Sequence, residues 1–275
     1  MARGSLSRIS VYHYYKLVGR SLMLITALVL YIVRRGEGVA RPLRFLTGLP
    51  WLSLAFFLLF AVEILLRFFP SSVESMGCQK QFARNYLPTE TAKRAEGRIR
   101  LATWRSTLAV GAVWVLFNLP FAILYYTGVI DAGILLLLSL FYAVADMICI
   151  LFFCPFQTWF MKNKCCGSCR IYNWDYAMMF TPLALIPNIF TLSLFALTLF
   201  LLIFWEIAAY RHPERFFAAT NASLRCANCP EKLCHHKRQL QAYLKKNAAR
   251  LRLAESIALV KGKARGLLGG HREAP

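Results

Sequence analysis

Long apolar runs separated by basic connectors set the pattern of this chain. A helix needs about 20 apolar residues to cross the hydrocarbon of a bilayer, because it rises about 1.5 Å per residue. Helices are predicted at about 14–33, 51–69, 108–129 and 134–153, and a fifth apolar stretch covers 176–210. Because a helix satisfies its own backbone hydrogen bonds, the pattern predicts an all-α, multi-pass transmembrane bundle of about five to six membrane segments, one of them re-entrant.

The first helix begins upstream of its apolar centre. The run Leu22–Val33 is too short alone, so the helix is expected to start near Tyr14, with Lys16 and Arg20 reaching the interface. Two arginines follow the run directly, with no small-residue cleavage site, which predicts a retained helix rather than a signal peptide.

The fifth apolar stretch has an ambiguous length. It is long for one crossing and short for two, and Pro182 and Pro187 interrupt its first half. One interpretation is a re-entrant or partial helix with a break near 182–187, followed by a full helix to Trp205. The other is a single tilted helix. The first is favoured because it returns the basic tail to the inner side.

Basic residues near the helix ends predict the orientation. The short turn at 128–132 lacks Lys and Arg and is expected outside, whereas the connector at 70–105, the loop after 153 and the tail from Arg211 are basic and are expected in the cytoplasm. The chain is thus predicted in the cytoplasmic membrane. Arginines at 34, 35, 41 and 44 fall on the outer side in this scheme, against the rule.

Composition agrees with this segregation. The 275 residues are 58% hydrophobic and yet carry a formal net charge of +20. Basic residues beside membrane helices explain that charge through topology and anionic lipid. Nucleic acid is not expected as a partner, since no recognisable nucleic-acid module accompanies the charge.

Three parts are predicted: a helical membrane domain at 1–210, a cysteine-rich segment at 211–238, and a basic amphipathic helix with a disordered tail at 239–275. The amphipathic helix follows from apolar residues at helical spacing with Lys and Arg between them, namely Leu240, Leu244, Leu251 and Ala258. It could lie on anionic lipid, pack on a protein partner, or remain solvated.

Nine cysteines carry the candidate chemistry. Cys149, inside a predicted helix, is interpreted as a small buried hydrophobe. The others are expected on the cytoplasmic side or its membrane boundary, where grouped thiols indicate metal or redox chemistry. Two C-x2-C pairs supply four thiolates, which suits a tetrahedral metal site. The candidate ligands are Cys166, Cys169, Cys226 and Cys229, with Cys165, Cys234 and Cys154 in addition.

The identity of that centre stays open between zinc and an iron–sulfur cluster. A structural zinc needs four ligands and gains nothing from seven thiols, whereas a cluster or a redox dithiol could employ them. However, the C-x2-C-x2-C-x3-C-P spacing of bacterial ferredoxins is absent, and a zinc that only staples two loops together is the alternative.

Three polar residues stand inside the predicted membrane helices. Glu63 and Arg67 are four positions apart, the spacing of an intrahelical ion pair. Asp146 has no basic neighbour on its own helix. An unpaired intramembrane carboxylate predicts either a function such as proton relay or substrate contact, or a structural role through protonation or a bond to the helix that carries Asn118. Glu206 is expected to face water or the tail arginines, and Tyr172, Trp174 and Tyr176 to form an interfacial aromatic belt.

Three functions follow as hypotheses. The first is membrane electron transfer or thiol redox at a cysteine-ligated centre. The second is a noncatalytic scaffold or assembly factor with a zinc staple and a docked membrane or cytoplasmic protein. The third is a small transporter that uses Asp146. No nucleotide-binding or hydrolase motif is recognisable, so the sequence leaves open whether the protein is an enzyme.

Overall fold

A computed structural model describes residues 8–36, 50–70, 76–94, 104–162 and 169–228, with the single positions 242 and 247. By its contacts the chain divides into two units, Met1–Lys232 and Leu233–Pro275. Apart from two helical positions, the predicted amphipathic helix at 239–275 lies outside the described residues.

Within the described residues the first unit is helical and contains no strand. Four helices are long and apolar enough to cross a membrane, and a shorter apolar helix accompanies them, in agreement with a multi-pass helical bundle. The first helix starts earlier than predicted from its apolar run. The α-helices are α1 (Arg8–Gly36), α2 (Pro50–Leu66), α3 (Met76–Gln81), α4 (Glu90–Arg94), α5 (Trp104–Tyr126), α6 (Ala132–Leu151), α7 (Asp175–Met179) and α8 (Ile189–Arg211).

Helices α1 and α6 pack side by side in opposite directions. At the start of α6, the Tyr31 hydroxyl donates to Asp131 at 2.9 Å, and Asp131 also caps α6 by accepting the Ile134 N–H at 3.0 Å. Gly133 lets the helices approach this closely, because a Cβ built there would lie 2.7 Å from the Tyr31 ring. Further along, Arg20 donates to the Ala143 carbonyl at 3.0 Å.

Helices α2 and α8 run in the same direction and pack against each other through aromatic contacts. The ring centroids of Phe57 and Phe190 are 5.6 Å apart, and those of Phe68 and Phe204 are 5.3 Å apart. Such edge-to-face pairs add to the free energy of apolar burial. The contacts place the carboxyl ends of α2 and α8 at one end of the bundle, which we call the cap end.

The segment before α8 leads from the cap end into the bundle, and α8 brings the chain back. The segment passes through 3-10 turns at Arg170–Trp174 and Thr181–Leu185, separated by α7, and Asn188 caps α8 by accepting the Phe190 N–H. Near the carboxyl end of α8, which is the cap end, Glu206 accepts from the Arg170 side chain at 2.6 Å. Residues 170 and 206 therefore lie together, and the chain goes into the bundle and comes back to the same end.

A hydrogen-bonded clasp covers the cap end, formed by residues 76–94 and 213–228. Asn221 is fully buried at its centre, where its side-chain NH2 donates to the carbonyls of Lys80 at 3.0 Å and Arg215 at 2.9 Å. Backbone bonds join Thr89 to Thr220 and Ala222 to Leu87. The two connectors are thus tied together by amide and carbonyl groups.

Candidate functional site

An apolar pocket of about 530 Å³ lies between α5, α6, the turn after α6 and the segment around α7. This volume is within the range typical of small-molecule sites, about 300–1,000 Å³. Eight aromatic residues and five sulfur-containing residues line it. The rings include Trp114, Tyr142, Phe156, Trp159 and Tyr172.

Three cysteines line this pocket from separate parts of the chain. Cys149 comes from α6, Cys154 follows the end of α6, and Cys169 approaches ahead of α7. The Cys169 side chain is 4% exposed. The Cys154 sulfur accepts the Gln157 N–H at 3.4 Å, which fixes the turn after α6. Cys149, interpreted from sequence as a core hydrophobe only, is therefore part of the pocket wall.

Two carboxylates line the same pocket, and each is held by an arginine. The Asp146 carboxylate accepts from Arg20 at 3.0 Å, and the Asp175 carboxylate accepts from Arg67 at 2.6 Å. Such pairing is what allows charges to exist among apolar helices at a tolerable cost. Asp146 is thus not the unpaired carboxylate that its own helix suggested, because its partner comes from α1.

Arg20 is the centre of a buried charge cluster that joins three helices. Its side chain is 3% exposed and bridges Asp146 on α6 and Glu63 on α2, the latter at 2.9 Å. Glu63 also accepts from Lys16 at 3.2 Å and from the Tyr176 hydroxyl at 2.9 Å. The expectation that Arg20 reaches the membrane interface is therefore wrong, since the tertiary fold supplies two carboxylates inside the bundle.

The expected ion pair between Glu63 and Arg67 is also replaced. Glu63 turns toward α1, while Arg67 turns toward Asp175. Tyr172 and Tyr176 face the Arg67 guanidinium, with ring centroids 5.3 Å and 5.0 Å from it. Partners from other segments have displaced the local pair: Arg67 gains the Asp175 carboxylate and two ring faces, and Glu63 gains Arg20 and Lys16.

The aromatic residues after Cys169 are mostly core residues. Tyr172 is 8% exposed and Tyr176 is fully buried, so neither forms part of an interfacial belt. Trp174 donates its indole N–H to Glu206 at 2.7 Å, and Arg170 binds the other oxygen of that carboxylate. Glu206 therefore faces these two side chains, which corrects the expectation that it faces water or the tail arginines.

The clasp brings cysteine-bearing segments to the cap end. Helix α3, whose backbone includes Cys78, packs against the 3-10 turn that follows Cys169 and against the 3-10 turn at Ala222–Leu224 that precedes Cys226. The first of these contacts includes a hydrogen bond from Asn173 to Gln81 at 2.8 Å. The backbone positions of all three cysteines therefore belong to one end of the bundle.

Most of the predicted metal ligands lie outside the described residues. These are Cys165, Cys166, Cys229 and Cys234, and for Cys226 only the backbone is described. Among the side chains that the structure does describe, no group of three or more Cys, His, Asp or Glu could hold a metal ion. Of the seven candidates, Cys154 and Cys169 have described side chains, and both line the pocket. The shared metal site stays a prediction.

Sequence reasoning missed the charge cluster although a signal for it exists. Three basic residues and three acidic residues stand in or beside apolar helices, and they balance in charge: Lys16, Arg20, Arg67, Glu63, Asp146 and Asp175. A neutral total within the membrane region favours mutual pairing over individual functions. That count could have indicated a cluster, though not which residues pair.

Comparison with known proteins adds no assignment. No protein-family model, curated protein or solved structure matches this chain.

Proposed function

We propose that this chain is a multi-pass protein of the cytoplasmic membrane whose cysteine sulfurs carry electrons, as a thiol–disulfide couple or as ligands of an iron–sulfur centre. The observation that carries the proposal is the position of Cys169. It lines the apolar pocket together with Cys149 and Cys154, and it immediately precedes the turn that packs on α3 at the cap end.

Cys169 thus connects two groups of sulfur atoms. One group faces the apolar interior, where a membrane-soluble molecule can reach it. The other consists of the C-x2-C pairs, Cys166 with Cys169 and Cys226 with Cys229, of which Cys169 and the backbone of Cys226 belong to described segments at the cap end. Thiolates at this spacing suit iron or zinc, and thiolates alone suit disulfide exchange.

The cap end is proposed to face the cytoplasm. Its two connectors contain many of the basic residues that flank the helices, and the α5–α6 turn at the opposite end contains none. A reducing compartment keeps grouped thiols available for metal or redox chemistry. Arg170, Trp174 and Glu206 all lie at the cap end, so the chain between them enters the bundle and comes back, which supports a broken segment followed by a full helix rather than a single tilted crossing.

A structural zinc is not needed to join the connectors in this fold. The clasp already joins the connectors through Asn221, and the bond from Asn173 to Gln81 already ties the segment after Cys169 to α3. The described loops are therefore ordered by hydrogen bonds, which favours a chemical role for the surplus sulfur atoms. Transport through Asp146 is less favoured, because that carboxylate is bound by Arg20.

Elemental analysis of the full chain purified without oxygen tests the proposal. We expect iron with visible absorption, or else no metal and a reversible disulfide, and we expect Cys166→Ser and Cys229→Ser each to abolish the metal or the couple. Cys149→Ser is the matched control for metal content, since Cys149 lies within α6. Stoichiometric zinc with redox-inert cysteines would refute electron transfer and identify the scaffold.

A further inference from the structure

The residues that line the apolar pocket favour one class of ligand. We propose that it binds the ring of a lipid-soluble quinone, placed beside Cys149, Cys154 and Cys169. This inference rests on the proposed redox function and names the molecule that receives the electrons. Three features of the wall support a quinone: its flat rings, its sulfur atoms and a small polar patch at Asp146.

The wall favours a flat ring over a flexible acyl chain. Trp114 from α5 lies 4.8 Å from Tyr142 on α6 and 6.1 Å from Phe156 after α6, measured between ring centroids, so rings from three segments surround one space. Hydrogen bonds hold two of them: Trp114 donates to Thr181 at 3.0 Å, and Tyr142 donates to Asn118 at 3.1 Å. Fixed rings gain stacking energy with another ring beyond apolar burial.

Sulfur atoms strengthen the same preference. Besides the three cysteines, Met178 and Met179 line the pocket. Sulfur is polarizable and makes favourable contacts with aromatic edges. A saturated chain would gain only burial from this wall. An aromatic or quinonoid ring would gain burial together with ring and sulfur contacts.

The pocket is almost entirely apolar, and the Asp146 carboxylate gives it a small polar patch that suits a hydroxyl group. Asp146 uses one carboxylate oxygen, Oδ2, to bind Arg20, and 16% of its side chain remains open while it lines the pocket. A carboxylate accepts hydrogen bonds readily from a hydroxyl. The ring oxygens of a hydroquinone are such donors, so a ligand with an apolar ring and polar oxygens matches the wall better than a hydrocarbon does.

The redox step balances with a quinone as oxidant. Two thiols of the pocket wall each lose a hydrogen, and their sulfur atoms join in a disulfide. The two electrons and two protons released pass to the two carbonyl oxygens of the quinone, which becomes a hydroquinone. A second dithiol, such as one from the C-x2-C pairs, restores the wall cysteines by thiol–disulfide exchange.

Binding of a quinone to the full chain in lipid nanodiscs tests the pocket directly. Trp114 and Trp159 lie in the wall, so decylubiquinone and menadione are expected to quench the protein's fluorescence saturably. The double variant Val113→Phe with Ala145→Phe fills the pocket, and we expect it to raise the apparent Kd at least tenfold. The matched control, Val115→Phe with Val144→Phe, changes neighbouring residues of the same helices that do not line the pocket, and we expect less than a twofold change.

Three outcomes would overturn the inference: quenching that does not saturate, an equal effect of the two double variants, or displacement of the quinone by palmitate at a similar concentration, which would indicate a lipid groove. Thiol oxidation by the quinone tests the proposed redox function independently of binding. In the reduced protein, two thiols should be lost per quinone reduced, and Cys169→Ser should bind quinone without reducing it. Saturable binding without thiol oxidation would uphold the pocket and refute the redox role.

Discussion

Arg20 and Asp146 meet at 3.0 Å inside the bundle although 126 positions separate them in the chain. The same guanidinium binds Glu63 at 2.9 Å, so one side chain joins α1, α2 and α6. These bonds hold α1 and α2 in register with the helix that forms one wall of the pocket. The charge cluster is therefore the feature that positions the candidate site.

Replacement of Arg20 by methionine is expected to destabilise the protein strongly. It would leave Asp146 without its cation and Glu63 with Lys16 alone, and the loss of one partner from a buried ion cluster costs about 3–5 kcal/mol in other proteins. Unfolding in a denaturing detergent, followed by circular dichroism, measures the change. Arg211→Met is the matched control, because Arg211 is exposed at the end of α8.

A compensated variant separates charge from packing. Adding Asp146→Asn to Arg20→Met removes the uncompensated charge and leaves Lys16 paired with Glu63, so more than half of the lost stability should return. If the double variant is no more stable than the single one, the cluster does not act through charge balance.

Gly133→Ala is expected to loosen the contact between α1 and α6. The new methyl group would meet the Tyr31 ring at 2.7 Å, so the ring must shift and its hydrogen bond to Asp131 must lengthen. Overpacking of this kind costs about 1–3 kcal/mol. The same unfolding assay should show the opposite sign for Gly19→Ala, where no neighbouring atom lies within 4 Å and a helical alanine gains about 0.5–1 kcal/mol over glycine.

Equal effects of the two glycine variants would contradict this close approach. A second check is the double variant Gly133→Ala with Tyr31→Ala. Because the small side chain at 31 removes the clash, the double variant should lose less stability than the sum of the two single changes.

Asn221→Ala is expected to open the clasp at the cap end. The buried amide donates to two carbonyls and accepts the N–H groups of Ser223 and Leu87, and its removal leaves these groups unpaired at a cost of about 2–4 kcal/mol. Hydrogen exchange should then rise at residues 76–94 and 213–228. Asn228→Ala is the control, since Asn228 is exposed and donates to Ala222 at the periphery. Unchanged exchange in Asn221→Ala would show that other contacts hold the clasp.

The orientation can be measured by added cysteines. Val129 lies in the exposed turn between α5 and α6, and Arg225 is exposed in the clasp. In intact bacterial cells, an impermeant maleimide should label Val129→Cys above the unaltered chain, but should label Arg225→Cys only after permeabilisation. The basic residues at the cap end are the physical reason. The reverse pattern would place the cap end outside and remove the argument for reduced thiols.

The sequence alone predicted most of the helices but only part of the candidate site. Apolar runs indicated the bundle, the interruption near Pro182 and Pro187, and the short turn that Asp131 closes, because membrane helices are marked by local composition. It also singled out Cys154 and Cys169, which line the pocket. It did not indicate that Cys149 belongs to the same wall, because a lone cysteine in an apolar helix has no local feature that distinguishes a core position from a pocket position.

Tertiary structure alone decided which charges meet. Local spacing favoured Glu63 with Arg67, left Asp146 without a partner and sent Glu206 to solvent, yet each found a stronger partner on a distant segment. Hydropathy is a property of each segment by itself and could be predicted from its residues. Pairing inside a low-dielectric bundle depends on which segments the fold brings within hydrogen-bond distance, and no short stretch of sequence contains that information.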